Sequence, residues 1–171
     1  MKVKIGPVPA HRFYHNWLYD WFGYSRNQRT NIKIHDYDTW SMDHTLAPII
    51  LPMLVQLKAT KHGAPNVDNA DVPKELRMSK KDMTQFAKDG STDDKFFKRW
   101  DWVMDEMIWA FEQKCRDNWH DDFYGDYIED PKNGSMVGSF EWIDHDGMKA
   151  HQTRMTNGFK LFGKYYESLW D

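Results

Sequence analysis

The chain has 171 residues and a formal net charge of −3, with 40% hydrophobic and 29% charged residues. That length is enough for one domain with a core of its own, and the composition excludes a disordered chain. The negative balance excludes a general nucleic-acid binder, which needs a basic face to displace counterions.

Mean hydropathy is low, at −0.83. Yet the chain holds 9 Trp, 8 Tyr and 10 Phe. A core built from a few large rings is expected, because each ring buries roughly 150–250 Å². Acidic residues are skewed to 20 Asp against 6 Glu. Asp favours caps and turns over helix interiors, so this charge belongs at element ends and in loops. Cys115 is the one cysteine, so no disulfide forms within the chain and a reducing compartment fits. The start, MKVKIGPVPAHRF, carries no apolar signal segment. The longest apolar stretch, LAPIILPMLVQL, has 12 residues and two prolines, short of the roughly 20 a membrane span needs. The expectation is a cytosolic protein with no membrane association.

In chain order, MKVKI at 1–5 and NIKIH at 31–35 alternate apolar and polar residues. They read as two strands that pair antiparallel. Between them AHRFYHNWLYDWFGYS reads as a helix, with Phe13, Trp17 and Trp21 at four-residue spacing and Gly23 as a stop. A second helix is expected from Ser41 to about Lys61, ended by His62 and Gly63, with Pro48 and Pro52 as sites of irregularity. Residues 63–97 are polar and read as a long surface connection, with one short helix near 79–88. A third helix covers about 94–118. Trp100, Val103, Met104, Met107 and Phe111 form its apolar face, and Trp102 and Trp109 lie on another side. Residues 121–146 are rich in Asp and Gly, with SFEWI at 139–143 as a strand. The last helix spans about Gly147 to Leu169, with Met148, Met155, Phe159, Phe162, Tyr166 and Leu169 along one stripe. The fold class is mainly α (α+β): three to four helices packed on aromatic residues, with a small antiparallel β element, as a single globular domain over 1–171.

The segment DYDTWSMDH, residues 36–44, concentrates potential chemistry. Ser41 or Thr39 can cap the second helix, and Asp43 in its first turn gains roughly 0.3–1 kcal/mol from the helix dipole. Asp36, Asp38 and His44 either form a hydrogen-bonded corner or supply oxygen and imidazole ligands to a divalent metal, and no cofactor is firmly expected. Asp101, Asp105 and Glu112 fall in one stripe of the third helix, while Glu106 points elsewhere. Such a stripe is ordinarily a solvated face. Turned toward Asp43 and His44 it would line a catalytic cleft, which makes Asp43, His44, Asp101 and Asp105 the catalytic candidates. His11 and His15 have metal-sharing spacing but lack the Glu of an HExxH motif. The three His-Asp dipeptides barely exceed chance, and two fall in loops. Cationic neighbours such as Lys114 and Arg116 lower a thiol pKa, but without an evident partner Cys115 is read as a packed or half-exposed residue. Gly158 and Gly163 each cost about 1 kcal/mol inside a helix, which implies close packing against a neighbour or ligand. Walker, Rossmann, CxxC, HExxH and GxSxG patterns do not occur.

Three blocks go further. DTWSMDHTLAPIILPMLVQLKATKHGAP, RWDWVMDEMIWAFEQ and NGFKLFGKYYESLWD resemble, in order and spacing, the hallmark blocks of a family of tailed-bacteriophage proteins found often in cyanophages and other large lytic phages. The resemblance implies a viral origin and action in the cytoplasm of an infected bacterium. It carries no assigned activity and transfers no catalytic residue. The leading expectation is an accessory protein that binds a host or viral protein without catalysis, through Trp40, Arg99, Arg154, Asn157 and Lys160, since Trp, Tyr and Arg dominate interface hot spots. The alternatives are a metal-dependent, hydrolase-like enzyme and a minor virion component.

Overall fold

The computed structural model describes residues 1–5, 14–23, 30–130 and 134–170. The elements in order are β1 (Lys2–Ile5), α1 (Tyr14–Phe22), β2 (Thr30–Lys33), α2 (Met42–Thr60), α3 (Lys80–Asp89), α4 (Phe96–Cys115), β3 (Tyr127–Asp130), β4 (Gly134–Phe140) and α5 (His145–Lys164). Short 3-10 turns lie between them, among them Asp36–Thr39 and Trp119–Phe123. The chain is mainly helical with small antiparallel β elements, as its periodicity predicts. Where the sequence reads one domain, the chain divides into two compact units, Met1–Thr45 and Leu46–Asp171.

In the first unit β1 pairs antiparallel with β2, with Lys2 opposite Lys33 and Val3 opposite Ile32. Both strands lie where the alternation places them. The unit has no buried residue among those described. Phe13 and His11 lie outside the described residues, as does the side chain of His15.

The second unit holds the core. Ala47 and Leu54 from α2 meet Trp100, Val103, Met104, Met107 and Phe111 from α4, with Leu161 on α5 and Tyr165 just beyond it. The predicted face of α4 is the buried one. Among the described residues, rings supply three of the fourteen buried apolar side chains and methionine supplies four. Partly buried Trp102, Phe159 and Phe162 pack against this core, so the helices meet through aromatic clusters with methionines beside them. Trp100 meets Tyr165 edge-on at 5.6 Å, and Phe111 meets Phe159 and Phe162 at 5.2 and 5.1 Å.

Residues 63–97 differ from a surface connection, because Val67, Val72 and Met78 are buried. The Asn69 side chain clips this segment to itself: its Nδ2 donates to the Met78 carbonyl at 2.9 Å, and its Oδ1 accepts from the Met78 amide at 2.7 Å. Tyr165 then ties it to the end of α5. The Tyr165 hydroxyl donates to Asp71 at 2.6 Å and accepts from the Asp68 amide at 3.0 Å. Lys164 pairs with both Asp68 and Asp71. Burial, then the hydrogen bond to Asp71, pushes the Tyr165 phenol up to about 12.

Two other expectations shift. β3 and β4 form a hairpin where the sequence reads loop, and the 139–143 strand overlaps only its end. On the last helix the predicted stripe is rotated at its end: Tyr166 is 65% exposed while Tyr165 is buried.

The α5 glycines separate. A Cβ on Gly158 would stand 2.5 Å from both the Ala110 Cβ and the Glu106 carbonyl oxygen. Gly158 is therefore what lets α5 reach the α4 backbone. Gly163 would meet nothing within 4 Å. Gly163→Ala is expected to raise stability by about 0.5–1 kcal/mol, read as a higher urea midpoint, because only the backbone entropy cost is removed.

Candidate functional site

The structure distributes the sequence-predicted residues rather than gathering them. Asp38 accepts a hydrogen bond from the Met1 ammonium and another, at 2.8 Å, from the His35 amide. The ammonium, then the amide, holds its carboxyl below the ordinary Asp range. The Thr45 hydroxyl donates to the Asp38 carbonyl at 3.0 Å, and the Thr39 hydroxyl donates to the Asp36 carbonyl at 2.8 Å. These bonds involve the Asp38 side chain and the Asp36 and Asp38 carbonyls, and they do not join the Asp36 and His44 side chains into the expected corner. Asp43 stands in the first turn of α2, and Asp36, Asp43 and His44 are exposed.

Asp101 pairs with Lys61 and Asp105 with Lys58, both at the end of α2. Their side chains are 42% and 57% exposed. The α4 carboxylate stripe is thus partly solvated and engaged by lysines. Among the described residues no group of three or more His, Cys, Asp or Glu side chains is placed to hold a metal ion.

Arg99 corrects an expectation. The sequence reads it as an exposed binding residue, whereas it is fully buried. Its guanidinium grips Asp93 through both terminal nitrogens and donates to the Leu76 carbonyl at 3.2 Å. A planar five-donor head is able to hold a carboxylate and a carbonyl at once, which is why Arg survives burial there. The Arg99 hydrogen bond holds Asp93 below the ordinary carboxylate range. Arg154 is half-exposed. It forks onto the nearly buried Glu106 at 2.7 and 3.0 Å and lies 4.0 Å over the Trp109 ring. Asn157 and Lys160 are exposed. Cys115 is a free cysteine at the exposed end of α4. Partial burial, then Asp117, raises its thiol pKa.

Sequence reasoning missed an aromatic box around His151. Trp119 stacks on the imidazole at 4.7 Å with an 8° interplanar angle, and Trp109 and Phe123 meet it edge-on at 5.0 and 5.4 Å. Nε2 lies 3.1 Å from the Gln113 Oε1, and Nδ1 is buried without a partner. With the Gln113 amide oxygen as acceptor, Nε2 is the protonated nitrogen of this contact. Desolvation lowers the imidazole pKa. Asp122 opposes that shift, and Arg116 and Arg154 reinforce it. A depressed folded value stabilises the fold fully above the ordinary His range, and this contribution is lost as pH falls through the folded value. Urea melts from about pH 7.5 down to 5 are therefore expected to show a fall in stability that His151→Phe reduces.

Residues 1–45 carry ten exposed large apolar side chains among those described. Trp17, Trp21 and Phe22 on α1 are 52%, 71% and 70% exposed, and Trp40 reaches 84%. Trp17 touches Trp21 and Phe22 at 5.8 and 6.0 Å between ring centres. Ile5, Ile32, Ile34, Tyr37 and Met42 are exposed as well. The α1 spacing of Trp17 and Trp21 signalled a core face; nothing in the sequence signalled that this face stays uncovered. No described helix is long and apolar enough to cross a membrane. Comparisons with protein-family models, with curated proteins and with solved structures return no match.

Proposed function

We propose that this chain is a tailed-bacteriophage accessory protein, acting in the cytoplasm of the infected host. In this reading it binds a host or viral protein through the aromatic surface of residues 1–45. One observation carries the binding role: a compact unit with ten exposed large apolar side chains and no buried residue among those described. A folded unit gains its stability by removing apolar surface from water. This one has left that surface open, and a partner that covers it would supply the missing burial. Tryptophan is the side chain that contributes most when so covered.

Affinity capture from infected cells tests the reading. Trp17→Ala combined with Trp21→Ala and Trp40→Ala is expected to reduce recovery of the partner by about tenfold or more. The thermal melt should stay nearly unchanged, since these rings are exposed. Equal recovery of the same partner would overturn the proposal. Metal analysis of the purified protein addresses the hydrolase alternative: a stoichiometric divalent metal that is lost in Asp43→Ala would replace the binding reading with an enzymatic one.

A further inference from the structure

The β1–β2 sheet has four residues on each strand and pairs with no other described strand. A ribbon of that size is marginal in isolation, and among the described residues no further strand covers its edges. The register sorts its side chains cleanly. Lys2, Lys33, Lys4 and Asn31 share one face, and Val3, Ile32, Ile5 and Thr30 share the other. Lys2 stands directly opposite Lys33, an arrangement that destabilises a ladder. None of the three lysines is ion-paired among the described residues. On the opposite face Ile5 and Ile32 are 52% and 56% exposed. Charge is divided along the chain in the same sense. Residues 1–45 carry six Lys or Arg against four Asp, whereas the remainder carries seventeen against twenty-two Asp or Glu.

Resting on the proposed binding role, we infer that this sheet accepts an acidic β-strand from the partner protein. The partner strand alternates carboxylate and aliphatic residues. It pairs with a free edge, sets its carboxylates among Lys2, Lys4 and Lys33, and lays its aliphatic side chains beside Val3, Ile5 and Ile32. Main-chain hydrogen bonds supply the docking and the alternation supplies the selection. Lysines along an edge ordinarily repel further strands. Here they reject a second copy of this chain, whose own lysines would meet them, and leave an acidic strand as the occupant. A single-stranded nucleic acid would neutralise the lysines but would leave the aliphatic face and the strand edges uncovered.

The full chain is titrated with short fluorescent peptides by anisotropy, with amide shifts of Lys2–Ile5 and Thr30–Lys33 recorded alongside. The probes are an alternating Glu-Val peptide, the same composition in block order, an alternating Lys-Val peptide and oligo(dT). The alternating acidic peptide is expected to bind about tenfold or more tightly than the other three, with affinity falling as salt rises. A Lys2→Glu, Lys33→Glu variant should reverse the preference to the Lys-Val peptide, which a misfolded variant would not do. Equal binding of acidic and basic peptides, indifference to residue order, preference for oligo(dT), or no binding overturns the inference. The aromatic variant separates the two proposals. If it loses the captured partner while the peptides fail, the binding role stands and the acidic strand falls; if it keeps the partner, the binding role itself falls.

Discussion

Asp93→Ala is expected to cost about 3–5 kcal/mol of stability in urea unfolding of the full chain, because it strands the Arg99 guanidinium in the interior. Arg99 is 0% exposed and the Asp93 side chain only 9%. Its Nε has no hydrogen-bond partner, so the positive charge depends on Asp93 and one carbonyl oxygen. A buried ion pair adds little net stability over a well-packed apolar pair, whereas half of one is strongly unfavourable. The double variant Asp93→Ala, Arg99→Met should therefore recover most of the loss. A single loss below about 1 kcal/mol, the scale of an exposed ion pair, would show that water reaches Arg99. The wild-type pair also carries a pH signature. The Asp93 value is depressed on folding, so its contribution is complete above the unfolded Asp pKa and is lost as pH falls through the lower folded one.

Gly158→Val is expected to be comparably damaging, with a loss of about 3 kcal/mol or more. The added carbon meets the Glu106 carbonyl oxygen, which is backbone and cannot rotate away. Gly158→Ala should cost less, about 1–3 kcal/mol, since overpacking outweighs the roughly 1 kcal/mol that Ala gains in helix propensity. Ala110→Gly in the Gly158→Ala background should restore only part of the loss, because it removes the Ala110 Cβ contact and leaves the carbonyl contact in place. Against the stabilising Gly163→Ala, this gives two glycines of one helix with effects of opposite sign.

The helices were legible where apolar spacing ran long. The α4 face from Trp100 to Phe111 and the β1–β2 pairing could be read directly, because periods of 3.6 and 2 leave different patterns. The β3–β4 hairpin was not legible, because Gly and Asp punctuate it and mask the alternation. Arg99 illustrates a second limit. Residue type says that Arg is usually exposed, and only the fold brings Asp93 and the Leu76 carbonyl to it. The close contact at Gly158 was half legible: the cost of a helical glycine pointed to a neighbour, but Gly163 carried the same signal with no neighbour. The candidate surface was visible as tryptophan content alone. Composition cannot say which rings a fold will cover, and five of the nine tryptophans end exposed.

The Tyr165 clip has a consequence for synthesis. The hydroxyl that receives the Asp68 amide lies 97 residues further along the chain. While the polypeptide is still leaving the ribosome, Val67 and Val72 have no α5 end to lock them down. The Tyr165 contact forms only after the end of α5 has emerged, since loop closure over so long a separation comes late. Shortening the chain before residue 165 would remove the Tyr165 hydroxyl from Asp68 and Asp71 and leave the Asn69–Met78 and Arg99–Leu76 contacts in place. The interval in which chaperones and proteases can reach the segment holding Val67 and Val72 is then set by translation rate as much as by stability.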